Sequence, residues 1–324
     1  MLLFLILLQT TLTIAVSGPP TSPEYLALHI AQAEGYFGQE GLAAELAVTQ
    51  GEAGAAEALA QGKALVVATS LDAALRLASV DGRPPRLIFG LTAVHPSALL
   101  VPAAHRSSVS SISELIGKSV GVRSPGAPEE PLLAAFLSRS GIRLTQVNQL
   151  SLGERGLVTA LERGEIHAGL VPEPWASRLV EAGKAGVLAD FRRLNDAARA
   201  LGGPTVHAAL FVRAASTQDE EQIAALVRAL LNGLMRLGTG HAEKLAGRLP
   251  ARVVGLRDEF PLRLAAARGV ALPRGWITAD ALQASVELQR LRSPLPENIR
   301  LPRRLADLLF LDPLGTALGD KPKR

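Results

Sequence analysis

Polar side chains occur in four segments that each follow a predicted strand: residues 18–24, 69–72, 124–127 and 172–175. Open α/β sheets bind ligands at the carboxyl ends of their strands, where such segments meet. Free backbone N–H groups at the start of the following helices favour anions or polar oxygen atoms. Small hydroxyl groups in these segments add donors without filling a pocket: Ser22, Thr69, Ser70 and Ser124. The pattern predicts a binding site for a small polar molecule; the alternative is that each side chain only caps its own helix.

The chain lacks the residue spacings that mark zinc, phosphate-binding and dinucleotide-binding sites. Its six His residues show neither H-x-x-x-H nor H-E-x-x-H spacing, so a zinc site has little support. No P-loop or G-x-G-x-x-G motif occurs. The absence of Cys excludes disulfides, thiol nucleophiles and Cys-ligated metals. We therefore expect a binding site with no catalytic residue, no metal and no cofactor.

The charges near these segments leave the charge of the ligand open. Glu129 and Glu130 fall in the first turn of a predicted helix, where they oppose the positive end of its dipole, and Glu173 adds another carboxylate. Arg123 is the candidate cation beside a segment, but strand alternation would turn its side chain away. Two classes of ligand therefore remain open: a sulfonate or nitrate, and a heteroaromatic or zwitterionic compound.

Several ring-bearing residues could stack on such a ligand or hydrogen-bond to it: Tyr25, Phe89, His95, Trp175 and His207. For Trp175 the alternative is packing in the core, because a large aromatic side chain at helical spacing is often buried.

The first unit of the fold is predicted within residues 12–48. Residues 12–16 are apolar and partly β-branched, which suits a buried strand. Ser22 followed by Pro23 is typical of a helix start. Gly35 can end that helix in a left-handed conformation, and Gly41 permits the turn into the next strand. This unit places a loop and a helix start together at the carboxyl end of the first strand.

The alternation of strands and helices continues, which implies an α/β fold with mostly parallel sheets and helices on both faces. Further strands are predicted at residues 42–48, 64–68, 86–91, 119–122, 147–150, 166–171 and 206–213. Helices are predicted at residues 51–61, 71–79, 129–140, 154–163, 175–182, 218–237 and 242–246. Residues 260–310 are predicted to be helical with Pro and Gly breaks.

Two extended segments, residues 92–102 and 206–213, are predicted to cross between two lobes. We assign residues 12–92 and 206–311 to lobe 1 and residues 98–205 to lobe 2, with a loose tail at 312–324. A ligand between the lobes would be enclosed by hinge bending at the two crossings.

The composition is that of a globular chain that can form two medium domains. Hydrophobic residues make up 48% and charged residues 20% of its 324 residues. The net charge is +4, but the basic residues are scattered among acidic ones without interleaved aromatic residues. We therefore expect no binding to nucleic acid.

Three stretches carry a resemblance to a known family. AEGYFGQEGLAAEL, SISELIGKSVGV and LERGEIHAGLVPEPWASRLVEAG resemble elements of the NMT1/THI5-like or SsuA-like substrate-binding proteins of ABC importers. His167 stands where that family usually has Asp, and we expect a structural effect only. The resemblance covers residues 12–213 and, more weakly, the C-terminal helices.

The resemblance implies a bilobal fold of the type II periplasmic binding proteins. It further implies a periplasmic or extracytoplasmic monomer that binds a sulfonate, nitrate, taurine or thiamine-precursor-like nutrient and delivers it to an ABC permease with its ATPase. The ligand-binding residues it implies are Ser17, Ser22, Tyr25, Thr69, Ser70, His95, Ser124, Gly126, Ala127, Glu173, Trp175 and His207.

Two alternatives remain open. The first is an enzyme on the same bilobal fold, similar to those of menaquinone or thiamine pathways; the family's pyrimidine synthase has a Cys-rich iron motif, which this chain lacks. The second is a ligand-sensing module of a two-component or other regulatory system. Permease and ATPase genes beside this one would favour import, and biosynthetic genes would favour an enzyme.

The N-terminal residues 1–11 begin with the apolar run MLLFLILL, which resembles the core of a signal peptide but is too short to span a membrane. No Lys or Arg precedes it, and no Cys is present to carry a lipid anchor. Our hypothesis is an export signal truncated by a misplaced start codon; the alternative is an uncleaved N-terminal strand. Mass spectrometry of the mature N-terminus in the native host distinguishes the two.

Overall fold

Two five-stranded sheets organise the computed structural model, which describes residues 11–292 and 294–319. The sheet of lobe 1 has the order β2-β1-β3-β10-β4. Its strands are β1 (Leu12–Ser17), β2 (Ala44–Thr49), β3 (Val66–Ser70), β4 (Arg86–Thr92) and β10 (Ala208–Val212). The sheet of lobe 2 has the order β7-β6-β8-β5-β9. Its strands are β5 (Ser97–Pro102), β6 (Ser119–Val122), β7 (Asn148–Ser151), β8 (Ala168–Pro172) and β9 (Ala185–Asp190).

Both sheets are mixed rather than wholly parallel. In lobe 1, β1 is parallel to β2 and β3, with Ile14 opposite Leu46 and Val66. The strand expected at residues 206–213 is present as β10, and it runs antiparallel to both of its neighbours, β3 and β4. In lobe 2, β5 is antiparallel to β8 and β9. The bilobal α/β fold class is thereby confirmed, with one reversed strand at each crossing between the lobes.

The helices of lobe 1 follow the predicted order: α1 (Leu26–Ala33), α2 (Tyr36–Gln39), α3 (Gly51–Ala60), α4 (Leu71–Leu77) and α9 (Glu220–Thr239). The apolar β1 fixes their packing, because Ile14 and Val16 are fully buried in the lobe 1 core. Gly233 lies against the backbone oxygen of Ala27, and a Cβ at this position would collide with that oxygen. The glycine therefore allows α9 to pack closely on α1.

Lobe 2 contains α5 (Glu130–Arg139), α6 (Gly153–Arg163), α7 (Trp175–Glu181) and α8 (Leu194–Leu201). Neither β9 nor α8 was predicted from the sequence. β9 lies at the edge of its sheet beside β5 and is half-exposed, so it lacks the continuous apolar run of a central strand. α8 has an apolar side with Leu194, Ala197 and Leu201 at helical spacing, but it is only eight residues long, which is shorter than the window over which helical periodicity is read.

The C-terminal helices contact both lobes. They are α10 (Ala242–Arg248), α11 (Ala251–Val254), α12 (Phe260–Val270), α13 (Ala279–Arg292) and α14 (Asp312–Ala317). α13 packs against α4 of lobe 1 and α5 of lobe 2, and Val270 enters the lobe 2 core. The expectation of a loose tail is wrong for α14, because Pro313 starts a helix whose Leu314 is fully buried.

The N-terminal apolar run at residues 1–10, with the export-signal hypothesis that rests on it, lies outside the described residues. Within the described residues, no helix combines the length and the apolar character needed to cross a membrane.

Candidate functional site

A cleft between the lobes contains two neighbouring cavities of about 420 Å³ and about 250 Å³. We call the larger one the first cavity and the smaller one the second cavity. They have lining residues in common: Pro19, Ser22, Glu24, His95 and Arg123. A larger groove of about 540 Å³ lies on lobe 1 between α9 and α14, but none of its polar lining residues is buried. The cleft is therefore the candidate site.

The loop after β1 forms one wall of the cleft. Gly18 lies against the carbonyl oxygen of Thr49 at the end of β2, and a Cβ at this position would collide with that oxygen. Ser22 occupies the N-cap position of the short 3-10 helix Pro23–Tyr25, yet its hydroxyl makes no capping hydrogen bond. Because Ser22 also lines both cavities, its side chain faces the cleft rather than its own helix.

Glu24 and His95 form a buried pair in the centre of the cleft. Their Oε1 and Nε2 atoms are 3.2 Å apart, and the residues are only 6% and 8% exposed. In the described part of the chain, Oε2 of Glu24 and Nδ1 of His95 have no hydrogen-bond partner. Burial raises the pKa of Glu24 to about 7 and lowers the pKa of His95 to about 3, since both charged forms lose their hydration.

A second carboxyl group, Glu52, lies in the first turn of α3 and lines the first cavity, with 25% of its side chain exposed. Ser70 donates a hydrogen bond of 2.6 Å to its Oε2, and Nε2 of His207 is 3.8 Å from its Oε1. Burial raises the pKa of Glu52 to about 7 and lowers the pKa of His207 to about 3. The ring of His207 packs edge-on against His95, with centroids 5.8 Å apart. Two carboxyl–imidazole pairs thus adjoin each other.

Ser17 and Thr69 form a hydrogen-bonded chain that leads to the backbone of Glu52. The Ser17 hydroxyl donates to Oγ1 of Thr69 at 2.9 Å, and that hydroxyl donates to the backbone oxygen of Glu52 at 3.1 Å. Both residues are buried, and neither lines the two cavities. Tyr25 does line the first cavity, and its hydroxyl makes no hydrogen bond within the described residues. Burial raises its pKa well above 10, so the phenol remains protonated.

Arg123 contributes the wall of lobe 2. Its Nε and Nη2 donate to the two oxygens of Glu129 at 3.0 Å and 2.7 Å, and Glu129 is fully buried. The expectation that strand alternation turns Arg123 away is wrong, because β6 ends at Val122 and the pleat no longer fixes the next residue. Arg123 lines both cavities, but the paired Glu129 neutralises its charge.

The loop at residues 124–127 contributes less to the cleft than expected. Gly126 lines the first cavity, but its N–H donates to Oε2 of Glu130 at 2.7 Å. Ser124 is exposed and Ala127 is buried, and neither lines the two cavities. The N–H of Gly126 is thus engaged by its own helix, and the N–H of Ala127 donates to the Ser124 carbonyl at 3.1 Å.

Glu173 and Trp175 line the second cavity. Glu173 accepts hydrogen bonds from the hydroxyl of Ser177 at 2.8 Å and from Nη1 of Arg192 at 3.4 Å. Nε1 of Trp175 donates to Oε1 of Glu154 at 2.9 Å, and the Arg178 guanidinium lies 5.1 Å from the centre of its ring. The indole is half-buried at the cavity wall, which leaves part of it accessible to a ligand.

Sequence reasoning missed Glu24 and Glu52 as site residues. The available signal was an acidic residue in the first turn of four helices that start near the cleft. Glu24, Glu52, Asp72 and Glu130 all occupy such a turn.

The cleft supplies carboxyl groups, hydroxyl groups and neutral imidazoles, and the guanidinium groups of its first cavity, those of Arg76 and Arg123, are paired with carboxylates. Over the part of the chain that the structure describes, no group of three or more His, Cys, Asp or Glu could hold a metal ion. His167, the departure from the family pattern, lies away from the cleft and bonds through Nδ1 to the Ser119 hydroxyl at 2.7 Å. The arrangement suits reversible binding of a small polar molecule.

Comparisons with known proteins agree with this architecture. A family model described as NMT1/THI5 like matches residues 22–237, and no curated protein matches the chain by sequence. A solved structure from Bordetella bronchiseptica RB50 is 23% identical and covers 95% of this chain and 97% of its own, with a TM-score of 0.73. The periplasmic aliphatic sulphonate binding protein SsuA from Escherichia coli is 16% identical (94% of this chain, 98% of that chain, TM-score 0.70). The desulfurization enzyme DSZB is also 16% identical (95% and 99%, TM-score 0.62). At these identities the similarity shows the fold alone.

Proposed function

This chain belongs to the NMT1/THI5-like family, and we propose that it is the solute-binding component of an ABC importer. The observation that carries the proposal is the cleft itself. Polar groups from lobe 1, from lobe 2 and from the segment joining them converge on the same two cavities. A site assembled from two bodies binds its ligand most tightly when the bodies are closed around it.

The proposed mechanism is capture followed by hinge closure. The crossings lie between β4 and β5 and between α8 and β10, and they run side by side, since the N–H of His207 donates to the carbonyl of Thr92 at 2.9 Å. Bending there would separate the Glu24 wall from the Arg123 wall and open the cleft. Ligand contacts to both walls would then stabilise the closed form.

We propose a small nutrient as the ligand. Among the classes that the family resemblance implies, the geometry favours a nitrogen-rich or zwitterionic compound over a sulfonate or nitrate. The reason is that Arg123 is already bonded to Glu129. A strongly anionic ligand would have to compete with that carboxylate for the guanidinium.

The proposal includes a location and partners. The protein would act as a monomer in the periplasm or another extracytoplasmic space, and would deliver its ligand to an ABC permease coupled to an ATPase. SsuA from Escherichia coli, which shares the fold, is a periplasmic binding protein, and this supports the proposal by analogy.

An enzyme is the second candidate, because a carboxyl group with a pKa of about 7 beside a neutral imidazole is suited to proton transfer. The fold shared with DSZB supports it by analogy. Turnover separates the two: a binding protein returns its ligand chemically unchanged, whereas an enzyme returns a product.

The test is titration calorimetry and thermal denaturation of the 324-residue chain with nitrate, ethanesulfonate, taurine, aminopyrimidines and small amines. We expect one class to bind at one molecule per chain and to stabilise the protein by about 2.7 kcal/mol at a hundredfold excess over Kd. Mass spectrometry of the released ligand should find it unaltered. Binding of no compound in the panel, or conversion of the bound compound, would contradict the proposal.

A further inference from the structure

The guanidinium groups that line the first cavity are already paired with carboxylates. Arg123 binds both oxygens of Glu129, and Nε of Arg76 lies 2.7 Å from Oδ1 of Asp72. In the second cavity, the Arg263 side chain donates to the backbone oxygens of Thr21, Val253 and Val254. Among the described residues, the first cavity therefore has no cation that can meet an anionic ligand without losing a carboxylate, whereas Nε of Arg263 in the second cavity has no hydrogen-bond partner.

The N-terminal ends of the helices at the cleft also disfavour the binding of an anion. The 3-10 helix Pro23–Tyr25, α3, α4 and α5 each carry an acidic residue in their first turn: Glu24, Glu52, Asp72 and Glu130. At a fifth start, that of α7, Glu173 accepts from the N–H of Ser177 at 3.3 Å. Carboxylates at these positions occupy or neutralise the N–H groups that would otherwise attract a sulfonate or nitrate.

Glu24 and Glu52, by contrast, have no Lys or Arg partner in the part of the chain that the structure describes. Their ion-pair contacts within the described residues are with His95 and His207, and both imidazoles are neutral near pH 7 because burial lowers their pKa to about 3. Oε2 of Glu24 has no hydrogen-bond partner although the residue is 6% exposed and lines both cavities. A buried carboxyl oxygen without a donor is unfavourable, and a donor brought by the ligand would relieve that cost.

We propose that the first cavity holds a positively charged nitrogen group of the ligand, a primary ammonium or an amidinium, between the carboxylates of Glu24 and Glu52. This inference rests on the proposed solute-binding function and specifies its ligand chemistry. Ser22 and the Tyr25 hydroxyl, which line the same cavity, accept from the remaining N–H donors of that group.

Binding of such a cation is coupled to proton release. The charged and titratable groups around the two carboxyls are Tyr25, Asp72, Arg76, His95, Arg123, Glu129, His207, Glu259 and Arg263. At pH 8 a carboxyl group with a pKa of about 7 is mostly ionised, and at pH 5.5 only a few per cent is. For each carboxyl that must ionise, the affinity for a cation should fall about thirtyfold between these pH values.

The test uses probes of matched shape and opposite charge: benzamidinium against benzenesulfonate, and putrescine and acetamidinium against ethanesulfonate and nitrate. Calorimetry on the 324-residue chain at pH 8 should find at least one cationic probe bound tenfold or more tightly than its anionic counterpart. Glu24→Gln and Glu52→Gln should each weaken that probe at least tenfold. Glu57→Gln, an exposed change on the same helix as Glu52, should have no effect.

The pH dependence in the wild-type protein needs no variant, so it tests the inference even if Glu24→Gln fails to fold. A cationic probe that binds at least about thirtyfold more weakly at pH 5.5 than at pH 8 supports the proposal, and a probe whose affinity does not change with pH contradicts it. Preference for the sulfonates or nitrate overturns it while leaving the solute-binding function intact. Failure of every probe and of the whole nutrient panel overturns both.

Discussion

Replacing Glu24 by Gln should stabilise the protein increasingly as the pH rises. Burial raises the pKa of Glu24 from its ordinary value of 4.5 to about 7. The unfolded chain therefore releases the proton at a lower pH than the folded chain does. As a result, the Glu24 contribution to the free energy of unfolding falls as the pH rises from 4.5 through 7. Glutamine has nearly the same shape and no titratable charge, so the stability of the variant does not fall with pH for this reason.

The magnitude follows from the two pKa values. A difference of about 2.5 pH units corresponds to about 3 kcal/mol, at about 1.4 kcal/mol per unit. Part of this cost is already present at pH 5. The stability difference between Glu24→Gln and wild type should therefore grow by about 2.5 kcal/mol between pH 5 and pH 8. Comparing the variant with the wild type at each pH cancels the opposing contribution of the buried His95 and His207 to the free energy of unfolding, because both proteins contain these residues.

Urea denaturation at several pH values between 5 and 8, followed by tryptophan fluorescence, measures this difference. Glu57→Gln serves as the control and should track the wild type at every pH, because Glu57 is exposed on α3. A difference for Glu24→Gln that is independent of pH, or that shrinks as the pH rises, would refute the account of Glu24 as a buried carboxyl without a cationic partner.

Three further predictions concern other parts of the cleft. Arg123→Gln should lower the free energy of unfolding by about 2 kcal/mol, because the buried Glu129 loses its cationic partner. The double variant with Glu129→Gln should recover most of that stability, and urea denaturation measures both proteins. Trp175→Phe should abolish the change in fluorescence on ligand binding while Trp276→Phe retains it, because Trp175 lines the second cavity; equal signals in both variants would argue against cleft binding. Gly18→Ala should lower the free energy of unfolding by about 1–3 kcal/mol and weaken ligand binding at least tenfold, because the alanine Cβ would collide with the Thr49 carbonyl. An unchanged affinity in calorimetry would show that this loop does not position the site.

The fold was largely predictable because local signals agreed with one another. The first unit followed from an apolar strand, Ser22–Pro23 and two glycines, and Gly35 and Gly41 do adopt left-handed conformations in the structure. β9 and α8 could not be found in the same way, because an edge strand lacks a clear apolar run and α8, at eight residues, is shorter than the window over which helical periodicity is read.

The candidate site was only partly predictable. Ser22 and Ser70 were proposed from their position at helix starts; Ser22 lines both cavities, Ser70 bonds to Glu52 without lining either, and their contact with a ligand stays a prediction. Glu24 and Glu52 were not recognised, since an acidic residue in a first helix turn usually faces solvent and interacts with the dipole. Their burial depends on the second lobe and on side chains far apart in the sequence, such as Glu129 and His207. A local pattern carries no information about such contacts.

The measurement that tests the central claim most directly is calorimetry of the wild-type chain and Glu24→Gln with the tightest ligand of the panel, followed by mass spectrometry of the recovered ligand. The account predicts one bound molecule per wild-type chain, at least tenfold weaker binding by the variant, and a chemically unchanged ligand. Equal binding by the two proteins would contradict the assignment of the cleft, and recovery of a product would contradict a solute-binding function.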